Sequence, residues 1–238
     1  MNNNTDNNRV FISGEIVSDA VFSHEVYGEG FYEMIVSVKR LSGSSDELPV
    51  TVSERLIEEK SLKKGAGLKA YGQFRSYNKL VDGKSKLMLT VFVKEVVDDA
   101  EVKNPNEIVL IGHICKPPVY RTTPFNREIA DILVAVNRSY NKSDYIPCIA
   151  WGRNARFAKT LSVGEKIAVT GRVQSREYQK KISEYDVKTL TAYEVSISKL
   201  SAGESADYFD PDEEMESAFI RNGKSPENVD LAVLTVDN

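Results

Sequence analysis

The chain has 238 residues, 41% of them apolar and 28% charged, with a formal net charge of −4. It is long enough to bury one large core or two small ones, and it holds no run of about eighteen apolar residues that would cross a membrane as a helix. Its two cysteines, Cys115 and Cys148, form no CxxC pair and fit no zinc spacing with His24 and His113. They read as reduced, buried thiols of a cytoplasmic protein.

The charge is unevenly spread. Residues 1–103 hold 14 bases and 16 acids, and residues 104–200 hold 15 bases and 9 acids. The tail, 201–238, holds 10 acids and only 2 bases. A basic middle implies a polyanionic partner, and an acidic tail implies a basic one.

Taken in chain order, the polar opening MNNNTDN reads as a disordered leader over residues 1–7. NRVFISGEI at 8–16 then returns as NEIVLIGHI at 106–114, an offset of 98. The same offset pairs Gly14 with Gly112, Arg40 with Arg138, Asp46 with Asp144 and Pro49 with Pro147. One residue later in register, Gly72 matches Gly171. The chain is therefore two copies of one unit, residues 8–99 and 106–200, joined by a polar linker at 100–105 that ends in Pro105.

In the second copy, strand signals fall at 106–115, 128–138 and 144–151. NARFAKTLS at 154–162 has helical spacing, and Gly164 is placed to end it. Strands resume at 166–178 and 185–198. Five strands with one short helix between the third and fourth fit a Greek-key barrel of the OB type. The expected fold is all-β: two tandem five-stranded OB barrels, followed by an acidic, largely disordered tail at 201–238.

One stretch carries most of the functional argument. DYIPCIAWG at 144–152 places Tyr145 and Trp151, the chain's only Trp, at the same strand parity. The opposite parity, Ile146, Cys148 and Ala150, is small or aliphatic and suits an interior. The rings are therefore expected to look outward.

The second copy resembles the bacterial single-stranded DNA-binding proteins. The resemblance runs through NEIVLIGHI, PPVYRTTP at 117–124, LVAVNR at 133–138, DYIPCIAWGRNARFA at 144–158, VGEKIAVTGRVQSREY at 163–178 and YEVSI at 193–197. The first copy matches more weakly. The resemblance implies OB barrels that assemble in fours around single-stranded DNA, hence a homodimer of this two-barrel chain. It places base-stacking aromatics on Tyr140, Tyr145, Trp151 and Tyr178. Stacking rings in a basic groove are what sequence-tolerant binding of single strands requires. Arg121, Arg138, Arg153, Arg172 and Arg176 are the interleaved cations expected to meet phosphate.

The first copy departs at these places, with Ser42, Glu47 and Ser53 standing opposite Tyr140, Tyr145 and Trp151. A carboxylate repels phosphate, and Ser53 reads as a helix N-cap. The first barrel is thus expected to be scaffold or interface, with Phe74, Arg75 and Tyr77 still able to contribute. The tail resembles the family's acidic partner-recruiting tail in part. Tyr208, Phe209, Asp210, Asp212, Glu213, Glu214 and Phe219 are its candidate contacts with replication or repair proteins, although the chain ends LAVLTVDN rather than in the family's acidic Pro-Phe tip. No catalytic set, cofactor motif or metal motif is evident. The reading is non-catalytic binding and protection of single-stranded DNA in a bacterial, nucleoid-associated setting. The alternative is a primosome-accessory or interaction module that uses its barrels mainly as interfaces.

Overall fold

The computed structural model describes residues 7–81, 83–98, 102–181, 187–207, 209 and 215. The first copy runs β1 (Asn8–Ile16), β2 (Val21–Val26), β3 (Glu29–Lys39), β4 (Ser45–Ser53), α1 (Glu54–Lys60), β5 (Gly67–Val81) and β6 (Lys84–Val96). The second repeats it: β7 (Asn106–Ile114), β8 (Val119–Thr122), β9 (Glu128–Arg138), β10 (Lys142–Trp151), α2 (Gly152–Ala158), β11 (Lys166–Lys181) and β12 (Val187–Ala202). A final turn of helix, α3 (Glu204–Asp207), follows. Each copy thus has the expected five strands and helix plus one short extra strand, β2 or β8, paired on the flank of β3 or β9. Those two strands are largely solvent-exposed, so neither shows the alternation that marks a half-buried strand.

The helix in the second copy is shorter than its periodicity implies. It ends at Ala158, after which Thr160 and Leu161 donate to the carbonyls of Phe157 and Ala158, a tightened three-residue pattern. Gly164, at φ 85°, serves the next turn rather than the helix end.

The strands form one twelve-stranded sheet in the order β2-β3-β4-β6-β5-β1-β7-β11-β12-β10-β9-β8, a palindrome of the repeat. Each half closes on itself through antiparallel β1–β3 or β7–β9 and parallel β4–β6 or β10–β12. The halves join where β1 runs antiparallel to β7, from Asn8 opposite Leu110 to Ile12 opposite Asn106. Val10 faces Ile108, its own counterpart at offset 98, so a pseudo-two-fold axis passes through this pair.

Side chains obey the same symmetry. Asn8 bonds both backbone groups of Phe74, and Asn106 does the same to Val173. Across the join, the Ser175 amide donates to Asp46 Oδ1 at 2.8 Å and the Ser76 amide to Asp144 Oδ1 at 2.7 Å. Ser175 Oγ accepts from the Glu47 amide, and Ser76 Oγ from the Tyr145 amide. Both aspartate side chains are fully buried. Arg40 grips Asp46 through two nitrogens at 2.7 and 2.6 Å. Arg138 Nε lies 3.2 Å from Asp144 Oδ2 without hydrogen-bond alignment. Burial pushes the Asp144 carboxyl up, while the Ser76 amide, Arg138 and Arg75 hold it down.

The repeat-matched glycines have one cause. A Cβ on Gly14 or Gly112 would lie 2.3 or 2.4 Å from the carbonyl oxygen of Ser37 or Ala135, where β1 or β7 crosses to its second partner. A Cβ on Gly72 or Gly171 would lie 2.2 Å from the carbonyl oxygen of Phe92 or Ser196, at matching β-bulges.

A second apolar cluster lies apart from the barrel cores. Phe11 of β1 and Val109 of β7, both fully buried, are covered by Met215 and flanked by Tyr71, Val102 and Phe209. Phe209, expected as a partner contact, instead packs here with Lys199 Nζ 5.4 Å above its ring. Tyr208, Asp210, Asp212, Glu213, Glu214 and Phe219 lie outside the described residues, as does the leader up to residue 6. No helix among the described residues is long and apolar enough to cross a membrane.

Two outcomes are expected. Asp46→Ala strips an acceptor from a buried amide and a partner from Arg40, and should lower the unfolding free energy in urea by about 2–3 kcal/mol. Cys148 is buried and its thiol is pushed well up by desolvation, whereas Cys115 is partly exposed. A disulfide reagent should therefore modify at most one thiol in the native chain and both after denaturation.

Candidate nucleic-acid interface

Along β10 the alternation is realised as read. Ile146, Cys148 and Ala150 are buried, while Tyr145 and Trp151 keep 47% and 39% of their surface. The outward parity is not wholly wet, because Ile149 is buried between them. Tyr145 is fixed by the join, since its amide donates to Ser76 Oγ at 2.7 Å.

Trp151 occupies the N-cap position of α2 and makes no side-chain cap hydrogen bond. Its counterpart Ser53 caps α1 in the expected way, accepting from the Leu56 amide. A serine in place of a non-capping residue is worth about 1 kcal/mol at this position. The second copy forgoes that stabilisation and holds a half-exposed indole instead.

Tyr140 stands at the tip of the β9–β10 hairpin, 95% exposed, with φ 62°, and Asn141 follows at φ 54°. A left-handed backbone under a bulky residue costs roughly 1–2 kcal/mol, and so exposed a ring makes no contact to offset it. Tyr178 lies on the long β11–β12 hairpin opposite Leu190, 39% exposed.

Most of the expected arginines are already engaged. Arg121 pairs with Asp131, Arg176 with Glu194 and Arg138 with Asp144. Arg172 is half-buried, its Nη2 donating to Gln174, and burial pulls its guanidinium down. Arg153 is exposed, with no ion pair among the described residues. Exposed pairs of this kind are worth little and open readily to phosphate. Arg138 and Arg176 are the exceptions, because each serves a buried carboxylate, Asp144 or Glu194.

A groove of positive charge at the join was not foreseen. A groove of about 330 Å³ opens along the join, and Arg75, Lys94, Arg138 and Lys142 line it beside Tyr140 with no carboxylate among the lining residues. Its cations come from both copies. Proximity to Arg138 adds to burial in holding the Arg75 guanidinium down. The pseudo-symmetric groove, of about 490 Å³, includes Glu107 among its lining residues, and its Arg40 pairs with Asp46 as Arg138 does with Asp144. Sequence reasoning also missed Tyr27 and Phe125, exposed rings at equivalent tips of the β2–β3 and β8–β9 hairpins. Phe74 is fully buried in the first barrel and cannot contribute to a surface, contrary to expectation.

Trp151→Ser should be more stable than Trp151→Ala by about 1 kcal/mol in chemical denaturation, because only serine restores the cap.

The sequence profile of the Single-strand binding protein family matches residues 105–201. Single-stranded DNA-binding protein 2 of Listeria innocua is 30% identical over 130 residues, which span 52% of this chain and 76% of that protein. Single-stranded DNA-binding protein 1 of Staphylococcus aureus is 38% identical over 81 residues, 31% of this chain. The chain spans about half the length of that relative, 48%. The crystal structure of the single-stranded DNA binding protein from Thermus aquaticus superposes with a TM-score of 0.60 at 19% identity, covering 82% of this chain and 92% of that one, which establishes the shared fold. The chain belongs to the bacterial single-stranded DNA-binding protein family.

Proposed function

We propose that this protein binds single-stranded DNA with little sequence preference and protects it during replication, recombination or repair. The observation that carries the reading is position 151, where a tryptophan displaces the serine that its own repeat uses to cap the equivalent helix. Its relatives from Listeria innocua and Staphylococcus aureus carry that binding activity in their names.

In this reading Tyr140, Tyr145, Trp151 and Tyr178 stack bases. Arg121, Arg153, Arg172 and Arg176 meet phosphates along the second barrel, and Arg138 acts from the join. The work is binding rather than catalysis. Two chains associate to present four barrels, and the tail beyond α3 recruits basic partners. No observation favours the barrels acting as interfaces alone.

Trp151 is the only tryptophan, so its fluorescence reports the second barrel without interference. Titration with oligo-dT should quench it, and the affinity should fall steeply with salt as counterions are released. Trp151→Ala, followed by anisotropy of a labelled oligonucleotide, should weaken binding by about 1–3 kcal/mol. An unquenched Trp151 at low salt overturns the proposal.

A further inference from the structure

The first barrel does not lack aromatics at the place where Trp151 stands; it supplies them from the neighbouring strands. In the second copy Trp151 is flanked by Ile129 on β9 and, one residue pair along, by Ser196 opposite Ile149 on β12. In the first copy the central residue is Ser53, flanked by Phe31 on β3, with Phe92 opposite Thr51 on β6. The two phenylalanine rings meet over the small residues of β4, their centroids 5.5 Å apart. The row extends at both ends. His24 of β2 stacks on Phe31 at 5.1 Å with an interplanar angle of 11°. The Arg75 guanidinium lies 3.7 Å from the centroid of Phe92.

Of these groups His24, Phe92 and Arg75 line a groove of about 430 Å³, together with Tyr77, Lys79 and Arg138 and with no carboxylate among the lining residues. Arg75 and Arg138 also line the cationic groove beside Tyr140. Ser76, another lining residue, holds the amide of Tyr145. The two grooves share Arg75 and Arg138, so the cationic groove of the join meets the ring row of the first barrel.

From this we propose that the row His24–Phe31–Phe92–Arg75 is a second stacking surface, and that one single strand leaves Tyr145, crosses the join under Arg75 and Arg138, and lays further bases on the first barrel. The proposal rests on single-strand binding by the second barrel. It replaces the expectation that the first barrel is only scaffold. Planar groups stack bases without regard to sequence, and a guanidinium on a ring adds a cation that phosphate or base can use. Glu33 lies beside the row but is held by Tyr77 and Ser23 hydroxyls at 2.9 and 2.8 Å.

The test uses the full chain with oligo-dT of two lengths, about 8 and about 35 nucleotides, since one OB fold occupies roughly 4–16. Trp151 quenching reads the second barrel, and anisotropy reads the whole. Phe92→Leu, which keeps an apolar side chain, should leave the short oligonucleotide bound and Trp151 quenched as in the parent. Phe92→Leu and Arg75→Gln should each weaken the long one about tenfold, and Arg75→Gln should also lower its salt slope by about one. Circular dichroism and the unfolding midpoint confirm that the variants are folded. Unchanged affinity and site size for the long oligonucleotide in folded Phe92→Leu and Arg75→Gln overturn this proposal while leaving the second-barrel site intact. Loss of Trp151 quenching in the parent chain overturns both.

Discussion

A sheet edge presents unpaired N–H and C=O groups, and each repeat here begins with such an edge. β1 and β7 resolve this by pairing with each other, and the rest of the architecture follows from that contact. It makes one sheet of twelve strands, places the pseudo-axis between Val10 and Ile108, and brings Asp46 and Asp144 against the opposite barrel. The two aspartates do what backbone pairing alone cannot, fixing the sideways position of β5 against β10 and of β11 against β4. Because the Tyr145 amide is part of that network, the exposed face of β10 is registered to the join rather than merely near it.

Position 53/151 shows local stability and surface chemistry in competition. Serine there caps a helix, and tryptophan there leaves the helix uncapped. Two copies of one fold have made opposite choices at one site, and both barrels close. In the first copy β4 carries no rings, and the space above it is filled by Phe31 and Phe92, residues whose counterparts in the second copy are Ile129 and Ser196. A barrel surface can thus keep an aromatic floor while its sequence loses the residues that mark one.

Much of this was legible in the chain. The repeat, the barrel, the inward parity of Ile146, Cys148 and Ala150, and the cap at Ser53 all rest on local pattern, and local pattern survives folding. Matched Asp46 and Asp144 were visible as a pair, but their role was not, because each acts on a serine more than 65 residues away. For the same reason the Arg75–Arg138 groove was hidden: its cations come from different copies and meet only across the axis. The ring row was missed because a copy-by-copy comparison looks for a ring at the same position, whereas here it moved one strand sideways. Phe74 was misjudged because it was grouped with Arg75 and Tyr77, whereas the alternation along β5 runs unbroken through Leu68, Ala70, Gly72 and Phe74 and turns its ring inward.

Carrying both barrels on one chain has a consequence beyond stability. In a true two-fold dimer every substitution lands on both halves, so the surface looks the same to a strand entering from either direction. A nucleic-acid strand has chemically distinct ends, and a symmetric surface cannot tell them apart. Here Tyr145 faces one side of the axis and Glu47 the other, and only one of the two grooves at the join is free of acid. The surface has lost its symmetry, and with that it has acquired a direction.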